Sequence, residues 1–291
     1  MNDWTIIKLL SWTESYFQSH SIDSPRLTGE LLLAYSLDIK RLDLYLQHDR
    51  PLNKNELSHF KALIKKRAEN QPVAYITGEK GFYESDFRVT KDVLIPRPDT
   101  ETIVEQALKI LNANKNNRPW NILELGTGSG AIIISLAKEK PYNYYFASDF
   151  SIAALEIAKK NAEKIINNKI IFFCTDWFSS IKESMQFDLI ISNPPYIPSS
   201  DIAKLEPEIR EFEPMLALDG GKDGLNSFRY ILKKAHCHLA PGGVILLEIG
   251  FDQKDRLINI VNKYSQYPSI KFIKDLSGHN RVALIKKSID K

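Results

Sequence analysis

Apolar residues recur at helical spacing through the first 70 residues of the chain. Ser24 followed by Pro25 is typical of a helix start, with Ser as the N-cap and Pro at the first helical position. Asn53 with Glu56 three residues later resembles a capping box. Together with a short helix at 42–46, three apolar stripes predict a bundle of four or five helices over residues 1–70: Trp4, Ile7, Leu10 and Phe17; Leu27, Leu31 and Ala34 or Tyr35; Leu57, Phe60, Leu63 and Ile64.

The pattern changes at Gln71-Pro72, which ends the last of these helices. Glycines and a polar turn then separate short β-prone pieces at 74–77, 82–83 and 87–89, so we predict a linker with a β-hairpin over residues 71–98. Asp99 follows as the candidate cap of a helix that carries Ile103, Ala107 and Leu111 on one side.

From residue 118 onwards, apolar runs of strand length alternate with amphipathic stretches of helix length. The predicted strands are 122–125, 145–148, 170–174, 189–192, 244–249, 270–276 and 281–286, and the predicted helices are 130–138, 151–164, 225–239 and 252–266. Strictly alternating elements are typical of a doubly wound parallel sheet. We therefore predict an α/β, Rossmann-like domain over residues 99–291 that ends in an antiparallel pair of strands, preceded by the small helical bundle.

Composition narrows the class of protein without selecting a function. The 291 residues are 43% hydrophobic and 26% charged, with a net charge of +3, which is ordinary for a globular protein and only weak support for a nucleic-acid partner. Cys174 and Cys237 stand far apart and form no Cys-x-x-Cys pair, so a reducing compartment is expected. An acidic N-terminus and the absence of a long apolar run predict a cytoplasmic protein without signal peptide or membrane span.

A glycine-rich turn joins the first predicted strand of the α/β domain to its first helix. Gly126, Gly128 and Gly130, with Thr127 and Ser129 between them, allow a sharp turn and let a ligand approach the backbone closely. The same spacing, read to Ala131, also satisfies a loosened dinucleotide fingerprint, so a nicotinamide cofactor has to be weighed.

Acidic residues beside this turn favour a cofactor with an amino-acid portion. Glu124 can hold an ammonium group, which S-adenosylmethionine has and NAD lacks, and it would repel a phosphate. Asp149 ends the second strand and can accept both ribose hydroxyls, or it can cap the next helix. Asp176 and Trp177 end the third strand and suit an adenine. The Asp176 carboxylate can accept from the exocyclic amine, and the Trp177 ring can pack on the face of the base, although Trp177 could equally pack in the core.

The stretch around which the chain is organised is Asn193-Pro194-Pro195-Tyr196. It follows the apolar run 189–191 directly, and two prolines exclude both helix and central strand, so a rigid loop ends this strand. The Asn193 oxygen and a rigid carbonyl can together accept both hydrogens of a planar NH₂ group, and Tyr196 offers a flat face with a polar tip. An amide or an aromatic amine fits such a loop, whereas a Pro-rich turn without chemistry is the plainer alternative.

Three further clusters are assigned no chemistry. His236, Cys237 and His238 are neighbours on a predicted helix and face different directions, so we expect packing and no metal site. Glu206, Glu208, Glu211 and Glu213 predict a solvated acidic face, and the four glycine and aspartate positions 220, 221, 223 and 224 predict a turn. Arg97 stands between two prolines, which limits its backbone and suits it for directing a charge at a ligand.

These motifs together resemble the class I S-adenosylmethionine-dependent methyltransferases that act on planar nitrogens. More narrowly, the chain resembles the peptide-chain release factor glutamine methyltransferases, the PrmC/HemK family, over essentially its full length. The broader resemblance rests on the stretches 124–130, 176–178 and 193–196, with Asp149. The narrower one adds the helical N-terminal domain and the stretches 71–78, 94–101, 213–218 and 220–224.

The resemblance implies a methyl transfer from S-adenosyl-L-methionine, leaving S-adenosyl-L-homocysteine, to the side-chain amide nitrogen (N5) of the glutamine in the Gly-Gly-Gln motif of class I release factors. Asn193 and Pro194 are then catalytic, because Asn193 and the Pro194 carbonyl accept the two amide hydrogens, while Pro195 and Tyr196 complete the substrate site. Positioning supplies most of the acceleration, and no strong base is needed. Glu124, the 126–130 turn, Asp149, Asp176, Trp177 and Asn193 bind the cofactor, and the helical domain holds the release factor. We expect a monomer with no metal, membrane or obligate nucleic-acid partner.

Three alternatives stay open at this stage. An N6-adenine or N2-guanine methyltransferase of nucleic acid shares the Asn-Pro-Pro-Tyr motif and predicts salt-sensitive nucleic-acid binding. A catalytically silent cofactor-binding protein is disfavoured by the intact motif. A nicotinamide oxidoreductase predicts binding of NADH in place of S-adenosylmethionine.

Overall fold

Two hydrophobic patterns, helical at first and then alternating between strand and helix, produce two structural units. The computed structural model describes residues 4–113, 118–166 and 170–289. One unit consists of Met1–Glu79 and Glu206–Phe212, and the other of Lys80–Leu205 and Glu213–Lys291. A short segment from the second half of the sequence therefore belongs to the helical unit.

The elements of both units are numbered here along the chain. The helices are α1 Ile6–Ser19, α2 Pro25–Leu37, α3 Arg41–Leu46, α4 Lys54–Ala68, α5 Val73–Thr77, α6 Glu101–Ala113, α7 Ala131–Glu139, α8 Ile152–Ile166, α9 Pro207–Arg210, α10 Met215–Leu218, α11 Asn226–His238 and α12 Lys254–Val261. The strands are β1 Glu79–Phe82, β2 Ser85–Arg88, β3 Asn121–Leu125, β4 Tyr144–Asp149, β5 Ile170–Cys174, β6 Phe187–Ser192, β7 Leu239–Glu248, β8 Ser269–Lys274 and β9 Asn280–Lys286.

The predicted apolar stripes of the helical unit are right for α4, apart from the half-buried Leu57, and wrong for α2, apart from the buried Ala34. Phe60, Leu63 and Ile64 of α4 are buried as expected. In α2 the buried face is the one that carries Leu32 and Leu33, whereas Leu27, Leu31 and Tyr35 are 41%, 40% and 46% exposed. Because Leu occupies three consecutive positions in α2, spacing alone does not select the inward face, and packing decides it. In α1 the prediction is right in part, since Leu10 and Phe17 are buried, whereas Ile7 is exposed and Trp4 precedes the helix.

Helix starts in this unit follow the sequence signals in part. Asn53 accepts hydrogen bonds from the backbone of Asn55 and Glu56 at 2.9 and 3.0 Å, and the Glu56 carboxylate accepts from Asn53 N at 2.9 Å, so the predicted capping box is confirmed. Pro25 does open α2, but Ser24 has a left-handed backbone (φ 46°) and makes no side-chain cap bond. The segment 206–212 is tied to α4 by an Arg67–Glu208 ion pair of 2.7 Å.

Between the helical stretch and the α/β stretch, one β-prone piece was misread. Residues 74–77 lie in the short helix α5, which is bounded by Pro72 and by Gly78 at φ 78°, while β1 and β2 form a two-stranded sheet. Asp99 is not a helix cap either. It lies in a 3-10 turn before α6 and forms an ion pair of 2.9 Å with Arg281.

The sheet of the second unit has seven strands in the order β5-β4-β3-β6-β7-β9-β8. The first five of these are parallel, and β9 is antiparallel to both β7 and β8. The predicted doubly wound α/β fold with an antiparallel closing pair is therefore confirmed. Two elements differ clearly in length. Helix α12 ends at Val261, where the prediction extended it to 266, and β7 begins at Leu239, five residues before the predicted start at 244.

Two hydrophobic cores cover the faces of this sheet, one built around α6 and α7 and the other around α11 and α12. Strand β6 is buried at every position, as expected for a central parallel strand. From β3 the chain proceeds outward through β4 and β5 and then returns to place β6 on the other side of β3. The point between β3 and β6 is where ligands bind in open α/β sheets, and the glycine turn and the Asn-Pro-Pro-Tyr loop follow these two strands. No helix among the described residues is long and apolar enough to span a membrane.

Candidate active site

A cavity of about 540 Å³ lies in the α/β unit at the carboxyl ends of β3, β4, β5 and β6. Ten of the residues predicted for the site line it: Glu124, Gly126, Thr127, Gly128, Ser129, Asp149, Asp176, Trp177, Asn193 and Pro195. Gly130, Pro194 and Tyr196 are not on its wall. The cavity thus brings together the glycine turn and the Asn-Pro-Pro-Tyr loop, which are separated by more than sixty residues of sequence.

The glycine turn needs glycine for two physical reasons. Gly126 and Gly128 have positive φ angles of 69° and 54°, and the Gly128 amide donates to Asp149 Oδ2 at 2.8 Å. Gly130 starts α7 at φ 81°, and a β-carbon there would stand 2.6 Å from Ile134 Cδ1. Gly126 and Gly128 therefore shape the cavity wall, whereas Gly130 allows α7 to begin against its neighbours.

Glu124 is a buried acid at the end of β3. Its side chain lines the cavity although the residue is only 1% exposed, and Thr127 Oγ1 donates to its Oε2 at 2.5 Å. Burial raises the pKa of the Glu124 carboxyl to about 8. A carboxyl in this condition gains from a cationic partner, because the partner stabilises the ionised form that burial disfavours.

Asp149 both lines the cavity and organises the chain around it. Its two oxygens accept hydrogen bonds from the Gly128 and Ser151 amides at 2.8 and 2.9 Å, while burial raises the pKa of the carboxyl. The amide bonds leave lone pairs for further donors. Asp176 is exposed at the cavity edge, and Trp177, with a left-handed backbone (φ 50°), combines the wall position with packing on the second core. The two interpretations offered for Trp177 are therefore compatible.

The Asn-Pro-Pro-Tyr loop is fixed at both ends by polar contacts. Ser192 Oγ donates to Leu125 O at 2.7 Å and so joins the end of β6 to the end of β3. Asn193 Nδ2 donates to Thr100 Oγ1 at 3.4 Å, and both residues line the cavity, so this bond fixes the amide group and leaves Oδ1 as its acceptor. The Tyr196 hydroxyl lies 3.5 Å from Glu248 Oε1, and burial raises the pKa of that hydroxyl.

The sequence did not reveal how Arg97 is held or which segments close the cavity. Glu213 accepts from the Arg97 guanidinium and, through Oε2, from Ile95 N at 3.1 Å. This buried carboxylate joins the wall segment 91–97 to the segment 214–219, and both line the cavity. Glu213 is thus an anchor and no part of a solvated acidic face. The proline-flanked Arg97 was a usable signal, whereas its partner, more than a hundred residues later, was not. Glu101, whose role was open, accepts from Tyr83 N at 3.1 Å.

The neighbouring His236, Cys237 and His238 form no metal centre. Among residues 4–113, 118–166 and 170–289, no three His, Cys, Asp or Glu side chains are arranged to hold a metal ion. His238 stacks on Phe178 with ring centroids 5.0 Å apart, and burial lowers its pKa.

Both parts of the chain match known protein families. The chain matches the family models "PrmC N-terminal domain" at residues 8–78 and "Methyltransferase small domain" at residues 102–206. It is 40% identical over 260 residues to the release factor glutamine methyltransferase of Geobacter sulfurreducens, covering 89% of each chain. It is 35% identical over 287 residues to the protein of the same name from Rhodopirellula baltica, covering 98% of this chain and 97% of the relative.

Solved structures support the fold at lower identity. A methyltransferase from Pyrococcus furiosus matches with a TM-score of 0.52 at 22% identity, covering 79% of this chain and 98% of its own. The catalytic domain of hMettl16, crystallised with MAT2A 3'UTR hairpin 6, matches with a TM-score of 0.56 at 13% identity, covering 84% of this chain and 86% of its own. Both similarities concern the fold alone. The full-length relatives carry the assignment, and they confirm the predicted family: the chain belongs to the release factor glutamine methyltransferases.

Proposed function

We propose that this protein transfers a methyl group from S-adenosyl-L-methionine to the side-chain amide nitrogen (N5) of the glutamine in the Gly-Gly-Gln motif of class I peptide-chain release factors. One observation carries the proposal beyond family membership: the Asn193 loop and the Glu124 glycine turn line the same cavity. An amide-binding loop and a cofactor-binding turn have to meet for a transfer between their ligands. Such a substrate implies a cytoplasmic enzyme.

The residues of the glycine-turn side fit the proposed cofactor. Glu124 is a buried carboxyl suited to the ammonium group, and Asp149 keeps acceptor capacity for the ribose hydroxyls. Asp176 and Trp177 stand at the edge of the cavity, where an adenine can be bounded by a carboxylate and a ring. Gly126, Thr127, Gly128 and Ser129 supply backbone close to the ligand, and Gly130 supports their turn. When bound, the cofactor supplies an electrophilic methyl group on a sulfonium.

The residues of the loop side fit a primary amide. With its nitrogen directed to Thr100, Asn193 presents Oδ1 to one amide hydrogen, and the Pro194 carbonyl accepts the other. Pro195 lines the cavity beside Asn193, whereas Pro194 and Tyr196 lie off its wall, so the roles proposed for the Pro194 carbonyl and the Tyr196 ring follow from the family resemblance. The Tyr196 hydroxyl is fixed at Glu248. Two acceptors orient the amide nitrogen for attack and favour the geometry in which its lone pair is available. The released proton passes to solvent, so no residue of this chain needs to act as a strong base.

A transfer assay with labelled S-adenosylmethionine tests the proposal. The acceptors are a class I release factor, the same factor with its Gly-Gly-Gln glutamine changed to alanine, and bulk nucleic acid. We expect label on the intact factor alone. Label on nucleic acid and none on the intact factor would refute the substrate and favour the nucleic-acid methyltransferase, while label on the alanine form would refute the acceptor atom.

The helical unit is proposed to bind the release factor outside its Gly-Gly-Gln loop. Its second helix exposes Leu27, Leu31 and Tyr35 on one face, and α3 exposes Leu42, Tyr45 and Leu46. Apolar side chains of this size in one unit are typical of a protein-binding surface. None of the described residues of this unit is in the cavity wall. The proposed contribution of the unit is therefore to affinity for the substrate.

We expect Tyr35→Glu to raise the KM for the release factor about tenfold, because a buried aromatic contact at an interface is worth roughly 1–2 kcal/mol. The cofactor Kd and the kcat at saturating release factor stay unchanged. Tyr144→Glu is the control, since Tyr144 is also exposed (59%, against 46% for Tyr35) but begins β4 at the end of the sheet opposite the cavity. An unchanged KM in Tyr35→Glu would remove this face from the binding surface.

A further inference from the structure

The backbone of the Asn-Pro-Pro-Tyr loop can donate few hydrogen bonds of its own. Pro194 and Pro195 have no backbone N–H, so two consecutive positions cannot donate a hydrogen bond. The loop must therefore be held by groups that donate to its carbonyls or pack against its backbone. Gln253, just before α12, is the side chain that does so at Tyr196.

Gln253 makes three hydrogen bonds from a position that is 2% exposed. Its Nε2 donates to Tyr196 O at 2.9 Å and to Gly224 O at 3.2 Å, and its Oε1 accepts from Gly250 N at 2.9 Å. One carboxamide thus joins the catalytic loop, the segment around Gly224 and the chain immediately after β7. The amide nitrogen and the carbonyl oxygen of the Gln253 side chain therefore both bond to backbone groups.

The segment that Gln253 joins to the loop packs on it without any intervening side chain. Ile197 N donates to Leu218 O at 3.0 Å, and Gly220 N donates to Ile197 O at 2.8 Å. A β-carbon on Gly220 would stand 2.8 Å from Tyr196 Cα, and one on Gly224 would stand 2.3 Å from Tyr196 O. The glycines expected to form an ordinary turn are therefore required for backbone-to-backbone contact with the catalytic loop.

We propose that Gln253 is a positioning residue for methyl transfer, which holds the Tyr196 carbonyl and thereby the whole Asn193–Tyr196 loop in the geometry that orients the substrate amide. Gln253 is not on the cavity wall, so it acts through the loop and touches neither substrate nor cofactor. This inference rests on the proposed function for its kinetic consequence, whereas its structural consequence is independent of the substrate.

Two variants and a matched control test the role. Gln253→Met keeps the length of the side chain and removes all three bonds. Gln253→Glu, measured at pH 9 so that a protonated carboxyl does not donate in place of the amide, keeps an acceptor for Gly250 N and removes the donor to Tyr196 O. Gln186→Met is the control, because Gln186 Nε2 also donates to two backbone carbonyls, those of Cys237 at 2.8 Å and Glu183 at 3.3 Å, at the other end of the sheet.

The measurements are the cofactor Kd by calorimetry, kcat and KM with a class I release factor, and amide hydrogen exchange of peptides covering 193–199. For both Gln253 variants we expect kcat to fall at least twentyfold, with the cofactor Kd and the substrate KM within threefold of the parent. Exchange at Ile197 and Ser199 rises at least tenfold. Gln186→Met leaves kcat and this exchange unchanged.

A kcat within twofold of the parent in Gln253→Glu would overturn the proposal, and so would unchanged exchange at Ile197. A parallel loss of kcat and cofactor affinity would also overturn it, because it would indicate a general loss of structure. Should Gln253→Met fail to fold, Gln253→Glu decides, since it retains the bond to Gly250. If the parent methylates no release factor, the proposed function fails, while the exchange measurement still tests whether Gln253 holds the loop in place.

Discussion

Replacing Asn193 by alanine is expected to lower kcat about 10²- to 10³-fold while cofactor affinity changes less than threefold. The side chain of this cavity-lining residue supplies the proposed acceptor for the substrate amide, and removing one such positioned polar group typically costs about 3–4 kcal/mol of transition-state stabilisation. Thr100→Val should give a smaller fall, roughly tenfold, because it removes the acceptor that orients Asn193 and leaves Asn193 itself in place. Single-turnover rates with a class I release factor measure both effects.

Asn143→Ala provides the control for the Asn193 series. Asn143 is a buried amide that accepts from Trp120 N at 3.0 Å at the amino end of the sheet, away from the cavity. It is expected to lower the free energy of unfolding and to leave the single-turnover rate unchanged. A normal rate in Asn193→Ala would remove Asn193 from the mechanism, and equal losses in Asn193→Ala and Asn143→Ala would reduce its role to folding.

Replacing Glu124 by glutamine is expected to weaken cofactor binding about 30- to 150-fold. Hydrogen bonds to a charged group contribute about 2–3 kcal/mol, and a neutral amide loses the attraction to the ammonium group. Because the pKa of Glu124 is about 8 in the free protein, binding a cation releases a proton from it. The parent affinity should therefore fall as the pH is lowered from 7.5 to 6, while the affinity of Glu124→Gln stays flat.

The same substitution should make the free protein more stable at alkaline pH. A carboxyl whose pKa is raised from 4.5 to about 8 contributes stability that is fully present below pH 4.5 and is lost as the pH rises through 8. Glutamine carries no such penalty, so the free energy of unfolding at pH 9 should rise by an amount on the order of 4 kcal/mol or less. Thermal unfolding at pH 6 and pH 9 measures the difference.

Glu248→Gln separates the effect of a buried carboxyl on stability from the effect of Glu124 on cofactor binding. Glu248 is likewise 1% exposed, and burial raises its pKa to about 7, but it lies outside the cavity wall. It should gain stability at alkaline pH and keep the parent's cofactor Kd and its pH dependence. Cofactor binding by Glu124→Gln that equals the parent's, measured by calorimetry with S-adenosylhomocysteine, would exclude Glu124 as the ammonium partner.

The sequence by itself determined the features that depend on neighbouring residues. Apolar runs predicted all seven strands of the large sheet, with bounds within two residues except at the start of β7, because burial on both faces of a central strand requires continuous apolar sequence. The glycine turn and the Asn-Pro-Pro-Tyr loop were also predictable from the sequence. Their backbone restrictions are local, and the ends of adjacent parallel strands must meet at one edge.

Tertiary structure alone decided the contacts between residues distant in sequence. The inward face of α2 depended on what packed against it, since Leu31, Leu32 and Leu33 offer apolar surface in every direction. Only the folded structure shows that Glu213 is the partner of Arg97 and that Gln253 donates to the Tyr196 carbonyl. Polar pairs of this kind leave no periodic pattern, because one side chain and one backbone group suffice to make the bond.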